Sequence, residues 1–310
     1  MRILVTGGAG FIGSNLVRRL RDFYENVDVL DNFTTGNLDN LKGLTSRIKI
    51  INSSLKNIKG EDLAGYDYIF HLGMPSSSPM YKANPFLLSE TVSEAVYMVE
   101  QLRSKDFKGK LILASSSSLY NGNSLPFTED MNIKVTDYYT ECRYYIERLL
   151  ELYRQLYGLK YVVLRLFSVY GPREEYKGRY ANMITQFLWS ILKGETPTIY
   201  GDGEQTRDFI YVDDVIEAFI LAAEKEVDGE IFNIGTGVQT SFKQVIEILN
   251  TQLKTTLNPR YISNPIKNYV QHTLADTRKA SVKLGFKPKV DLKTGIRKIC
   301  EYYSNIKLNL

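Results

Sequence analysis

The feature that most constrains this chain is its first thirteen residues, MRILVTGGAGFIG. Arg2 to Thr6 is short, apolar and β-branched, the composition of a buried strand. Gly7, Gly8 and Gly10 follow at once, and Phe11 to Leu20 (FIGSNLVRRL) then has apolar residues at helical spacing. A strand that turns on glycines straight into a helix points the unpaired N–H groups of the helix N-terminus at one spot. The helix dipole favours negative charge there as well. Gly8, Gly10 and Gly13 satisfy G-x-G-x-x-G, and Gly7, Gly10 and Gly13 give an alternative register for the same loop. Either register allows the tight turn, the approach of a pyrophosphate and the packing of helix on strand. An ordinary strand–helix turn without a ligand has a similar pattern, so the next acidic residue carries weight. The run Val27 to Leu30 ends at Asp31, 18 residues beyond Gly13, near the spacing of a carboxylate that bonds an adenosine ribose. A carboxylate at that point repels a 2′-phosphate. The stretch therefore predicts a bound dinucleotide, NAD in preference to NADP.

Further apolar runs follow at Ile48 to Ile51, Asp67 to Leu72, Lys110 to Ala114 and Tyr161 to Phe167. Helical patterns separate the later ones. Pro85 to Ser104 carries Leu88, Val92, Ala95, Val96, Val99 and Leu102, and Asp137 to Tyr157 carries Tyr145, Leu149, Leu152 and Leu156. Alternating strands and helices predict an α/β fold with a Rossmann-type, doubly wound parallel sheet, its ligand outside the C-terminal strand ends. After Tyr170-Gly171-Pro172-Arg173 the character changes. A polar loop with Arg173, Lys177 and Arg179 leads into short strands, turns and helices. We read residues 1–170 as the dinucleotide-binding domain and 171–310 as a smaller mixed α/β lobe. Part of 204–240 is left open to return to the first domain.

Composition excludes several classes. A net charge of +4 over 310 residues, with no long basic run, argues against a nucleic-acid partner. Cys142 and Cys300 are far apart and in no metal-ligand spacing, so neither a metal site nor a disulfide framework is expected. Glycines interrupt the apolar start, so it does not read as a signal peptide, and no apolar run is long enough to span a membrane. The expectation is a cytoplasmic protein.

Two further stretches bear on chemistry. The run at Lys110 continues into Ser115-Ser116-Ser117-Ser118-Leu119-Tyr120, where such a sheet presents ligands. Tyr139 and Arg143 open the long helix four residues apart and so share a face. An adjacent cation stabilises a phenolate, which is what a tyrosine acting as a base needs. A packed tyrosine beside a solvated arginine would give the same two letters.

These residues together resemble the extended short-chain dehydrogenase/reductases, in particular the NAD-dependent nucleotide-sugar epimerase/dehydratase family, nearly from end to end. Thr6 to Gly13 matches TGxxGxxG and Asp31-Asn32 the acidic turn after it; His71-Leu72 is similar to HLA, and Ser115 to Tyr120 to SSSxxVY. Tyr139 to Arg143, with Glu147 behind, falls on YxxxK followed by glutamate. Arg165 to Arg173 (RLFSVYGPR) resembles RxFNVYGPR, and Gly201 to Asp214 (GDGEQTRDFIYVDD) is the most specific match in the second lobe. The resemblance implies Tyr139 as the base, Ser116 steadying the reacting oxygen, and Arg143 in the place of the lysine. It implies cofactor contacts at Gly7, Gly10, Phe11, Ile12, Gly13, Asp31, Asn32, Leu72, Tyr139 and Arg143. For the nucleotide sugar it implies Ser116, Ser168, Asn182, Arg207 and Lys267. It also implies a homodimer that pairs the helices Pro85–Ser104 and Asp137–Tyr157 into a bundle.

The chain departs from the family pattern at defined positions. Asn121 replaces the usual glycine after VY, Ser168 the asparagine of RxFN, Thr91 an asparagine in the helix after the fourth strand, and Ser54 an acidic residue near the adenine. Dehydratases of the family carry Asp-Glu after the Ser116 position and decarboxylases a glutamate; here both residues are serines, Ser117 and Ser118. The resemblance with no acid there implies a UDP-hexose 4-epimerase of the UDP-glucose/UDP-galactose type. Another redox reaction on a nucleotide sugar, and a non-catalytic nucleotide-binding protein, stay open as alternatives.

Overall fold

The computed structural model describes residues 1–58, 62–264 and 269–306. The first half of the chain lays down β1 (Arg2–Thr6), α1 (Phe11–Arg21), β2 (Asn26–Asp31), β3 (Lys49–Asn52), β4 (Tyr68–His71), a short α2 (Ser78–Ala83), α3 (Leu87–Ser104), β5 (Lys110–Ser116), α4 (Tyr138–Tyr157) and β6 (Tyr161–Leu166). It continues through β7 (Ser168–Tyr170), α5 (Met183–Leu192), β8 (Thr198–Tyr200), β9 (Thr206–Tyr211), α6 (Val212–Glu224) and β10 (Glu230–Ile234). It closes with β11 (Gln239–Ser241), α7 (Phe242–Leu253), β12 (Arg260–Ile262) and α8 (Leu292–Ser304). Ala280–Leu284 forms a π-helical turn ahead of α8.

The central sheet has the order β10-β6-β5-β4-β1-β2-β3, with every pairing parallel. It is the doubly wound α/β sheet read from the sequence. Its seventh strand, β10, comes from inside the stretch left open between the two domains, and α6 packs with α1 on the same face. Alternation along β1 shows why the strands are almost wholly apolar. Ile3 and Val5 join the core under α1 and α6, while Leu4 joins Ala95, Val99 and Leu150 under α3 and α4. Both faces are covered, and each such side chain stabilises the fold by about 1.5–3 kcal/mol relative to exposure.

The long helix α4 corrects one expectation. Of the four residues whose spacing marked it as a helix, Leu149 is buried, whereas Tyr145, Leu152 and Leu156 are 40%, 47% and 60% exposed. The residues that meet the sheet are Tyr139, Cys142, Ile146, Leu150 and Tyr153, with Leu149 beside them. The helix has two apolar stripes, and periodicity alone does not say which one faces the sheet. Asp137 caps the helix by accepting from Thr140 N (2.9 Å), which fixes where Tyr139 begins.

The second lobe contains a three-stranded sheet, β11-β9-β7, and the pair β12-β8, with α5, α7 and α8 packed together. The acidic residues of TRDFIYVDD explain themselves here. Buried Asp208 accepts from Thr236 N and Oγ1 (both 2.7 Å), Gly237 N (2.9 Å) and Ala275 N (3.0 Å), gathering two loops onto β9. Asp214 accepts from Lys289 N and Val290 N, both at 3.0 Å. Burial pushes both carboxyl groups above their usual pKa, and these hydrogen bonds pull them back.

Candidate active site

The sheet order reverses at β1, with β2 on one side and β4 on the other, and a cleft opens beyond the strand ends there. Thr6, the last residue of β1, holds the two sides in register. Its Oγ1 accepts from Leu72 N (3.2 Å) and Gly73 N (3.0 Å), so its own proton goes to His71 Nδ1 at 2.8 Å. His71 is completely buried, and burial, helped by Arg143, pushes its pKa down to about 3, so the ring stays neutral. Gly7 turns the chain with φ +67°, and any Cβ would lie 2.7 Å from Gly73 Cα. Only glycine fits there. A cavity of about 580 Å³ occupies the cleft.

At one end of it lies the glycine turn. Gly7 N donates to Leu30 O (2.7 Å) and Gly10 N to Gly7 O (3.1 Å); a Cβ at Gly13 would sit 2.1 Å from Gly7 O. Gly10 caps α1 without a side chain, and no acidic residue stands in the first turn. Ser14 N bonds Gly10 O (2.9 Å), whereas the amides of Phe11, Ile12 and Gly13 donate to no backbone carbonyl among the described residues. Those three residues line the cavity with Gly7, Gly10, Asp31, Asn32 and Leu72. Asp31 is 7% exposed and already accepts from Ala9 N (2.9 Å) and Phe33 N (2.8 Å), which binds the glycine turn to the end of β2. Burial raises its pKa, against the pull of those two amides. Each carboxylate oxygen keeps a further lone pair for a ribose hydroxyl. An uncapped helix terminus with a carboxylate across from it fits the pyrophosphate and ribose of a dinucleotide.

At the other end, Ser116, Tyr139 and Arg143 line the same cavity. Ser116 closes β5, and its Oγ accepts from Ser118 N (3.1 Å). Tyr139 is 6% exposed, with the Arg143 guanidinium carbon 5.1 Å from its ring centre. Arg143 is a buried cation held by carbonyls. Nη1 donates to Ala114 O and Nη2 to Pro75 O, both at 2.9 Å, and Met74 Sδ lies 3.2 Å from Nη1. Its Nε has no partner among the described residues. Burial opposes the charge, but Tyr139, Tyr81 and Cys142 outweigh it and raise the pKa above the ordinary arginine value. The arginine is therefore a fixed charge against Tyr139.

A buried network braces this end. Ser115 Oγ donates to Glu147 Oε1 (2.5 Å), Glu147 pairs with Arg165 (2.6 Å), Arg165 Nη1 reaches Tyr120 Oη (2.7 Å), and Tyr120 Oη donates to Asn233 Oδ1 (2.7 Å). Burial opposes the charge on Arg165, but Glu147 overcomes it and holds the pKa above normal. The carboxylates that line the cavity are Asp31 at the end of β2 and Glu90 and Glu94 on α3; none comes from the strand end that carries Ser116.

The residues expected against the nucleotide sugar are more scattered. Ser168 lies between Phe167 and Val169, both of which line the cavity, and it pairs with Phe209 in the sheet of the second lobe. Asn182 spends its amide inside the protein, accepting from Ile184 N (3.0 Å) as the cap of α5 and donating to Val169 O (3.0 Å). Arg207 lies outside this cavity. Its guanidinium carbon is 5.5 Å from the Phe242 ring and 5.3 Å from that of Tyr269, and Nη1 donates to Thr206 O and Gln271 O. Lys267 lies outside the described residues. Sequence reasoning missed Glu90 and Glu94, which lie between the apolar positions of α3, and gave Lys177 no more weight than its basic neighbours.

The model for the NAD-dependent epimerase/dehydratase family matches residues 3–235. A putative UDP-glucose 4-epimerase of Methanocaldococcus jannaschii is 34% identical over 309 residues, covering 98% of each chain. A UDP-N-acetyl-alpha-D-glucosaminuronate decarboxylase of Bacillus cytotoxicus is 33% identical over 320 residues, again covering 98% of each. Among solved structures, a UDP-N-acetylglucosamine 4-epimerase of Methanobrevibacter ruminantium, in complex with UDP-N-acetylmuramic acid, superposes with a TM-score of 0.91 at 32% identity and 98% coverage of each chain. The chain belongs to the NAD-dependent epimerase/dehydratase family, and its cofactor is NAD.

Proposed function

From that membership we propose that the chain interconverts the C4 epimers of a nucleotide sugar, a UDP-hexose of the glucose/galactose type, through a transient 4-keto sugar. The observation that carries this reading is the make-up of the Ser116 end of the cleft: a serine hydroxyl, a phenol and a fixed cation, followed by Ser117 and Ser118 where elimination and decarboxylation call for acids. Glu90 and Glu94 line the cavity from another element.

Residues 1–170, joined through the sheet by β10, bind NAD, and the remainder of 171–310 binds the nucleotide sugar. The α1 amides and Asp31 would hold NAD, which would supply the reversible oxidation at C4. Tyr139 takes the proton from the sugar hydroxyl, and Arg143 balances the phenolate charge. Ser116 Oγ donates to the same oxygen, which keeps it in place while the bond order to carbon rises. Reprotonation by Tyr139 after the keto sugar has turned over gives the inverted alcohol. Arg207, between two aromatic rings, offers its charge to the diphosphate.

The test is direct. Purified protein is denatured to identify the nucleotide it releases, and native protein is incubated with UDP-glucose or UDP-galactose without added cofactor. Released NAD with inversion at C4 is expected. A keto sugar or a decarboxylated product, or bound NAD with no change in either sugar, would overturn the proposal.

We further propose a cytoplasmic homodimer in which α3 and α4, packed side by side, meet their copies through the exposed stripe of Tyr145, Leu152 and Leu156. Light scattering tests this, with Leu152→Glu expected to yield monomer.

A further inference from the structure

Lys177 stands in the loop between β7 and α5, in the second lobe, yet that loop is fastened to the first. Asn15 Nδ2, on α1, donates to Pro172 O (3.1 Å), and Arg173 Nη1 returns a bond to Asn15 Oδ1 (2.6 Å). Tyr176 Oη donates to Asp39 Oδ2 (2.6 Å) beyond the end of β2. Between these ties Lys177 lines the cofactor cavity, its Nζ 5.3 Å from the ring centre of Phe11, the first residue of α1. Phe11, Ile12 and Gly13 present there the amides that no backbone carbonyl takes among the described residues.

The ammonium is held in place by a buried acid. Glu174 Oε1 lies 3.3 Å from Nζ, and Glu174 is itself fully buried, accepting from Asn182 N (2.9 Å) and Thr185 Oγ1. One proton of Nζ is directed at Glu174, which leaves donors for a second acceptor. A dinucleotide pyrophosphate carries two negative charges. The helix terminus meets them with partial charges and α1 supplies no side chain, so a full positive charge is the missing part of the site.

We propose that Lys177 is a ligand of the NAD pyrophosphate, contributed by the second lobe to face the N-terminus of α1. The cofactor is then gripped from both lobes, and its release requires the loop at 171–180 to part from α1. A lysine that only neutralised Glu174 would have no such effect on ligand.

Calorimetric titration of apo protein with NAD, ADP and adenosine separates the two roles. Lys177→Met is expected to weaken NAD and ADP by about tenfold or more while adenosine changes by less than about twofold, and Lys177→Arg to recover most of the loss. Equal losses for adenosine and ADP, or unchanged ADP and NAD, would overturn the assignment. Should Lys177→Met fail to fold because Glu174 is left unpaired, the double variant with Glu174→Gln removes both charges and is read in the same way.

Discussion

Replacing Arg143 by methionine tests the centre of the proposed mechanism. The side chain keeps much of its length and loses its charge and its fork. Taking the 5.1 Å between guanidinium carbon and Tyr139 ring centre as the working separation, a unit charge is worth about 3 kcal/mol at an effective dielectric of about 20. If that attraction acts on the phenolate that takes the sugar's proton, its loss leaves less of Tyr139 ionised and lowers kcat/KM by roughly a hundredfold. Stability falls by less than the two lost carbonyl hydrogen bonds suggest, by about 1–3 kcal/mol, because the variant no longer buries a cation. Arg143→Lys separates charge from shape. A lysine keeps the cation but does not bridge Ala114 O and Pro75 O as a planar fork does, so kcat/KM should stay within about tenfold of the parent. The assay is interconversion of UDP-glucose and UDP-galactose, scored by chromatography, with retained NAD measured on the same samples. A folded, NAD-bound methionine variant within about threefold of the parent would refute the electrostatic reasoning.

Three other perturbations follow from the cofactor end. His71 is neutral in the fold down to about pH 3 but takes a proton near pH 6.5 when unfolded, so stability is full above 6.5 and declines as pH falls towards 3. Between pH 6.5 and 5 the decline is about 2 kcal/mol in urea unfolding, and His71→Asn, which keeps an acceptor for Thr6, should abolish it. Asp31→Ala frees Ala9 N and Phe33 N and removes the charge that opposes a 2′-phosphate; NAD affinity should drop by about tenfold while discrimination against NADP narrows, both read by titration. Gly13→Ala would place a methyl 2.1 Å from Gly7 O, a backbone atom that moves only if the turn opens; about 2 kcal/mol or more of stability and most NAD binding should be lost, by thermal unfolding with and without cofactor.

How far the letters carried differs between the two ends of the cleft. The strand–glycine–helix opening was legible because it is local. Gly7, Gly10, Gly13 and Asp31 sit on consecutive elements whose spacing is set by strand and helix geometry. Tyr139 and Arg143 were legible as a pair for the same reason, one helical turn apart. Asn182 shows where this fails, since a residue type suited to a ligand is used here to cap α5 and hold Val169. The apolar stripe of α4 failed differently, because a helix with two such stripes gives a periodicity that either would satisfy.

The sequence by itself determined the doubly wound sheet, the dinucleotide turn, the preference for NAD and the family, all of which rest on short-range patterns of backbone conformation and side-chain type. Only the tertiary structure decided that Arg143 is a buried cation held by the carbonyls of Ala114 and Pro75, that Glu147 and Arg165 brace the Ser115 strand end, and that Lys177 crosses from the second lobe to the mouth of α1. Those partners are 18 to 166 residues apart along the chain. A charge or a hydrogen bond acts through space, and which distant groups meet is set by how α4 packs on the sheet and, for Lys177, by how the two lobes meet.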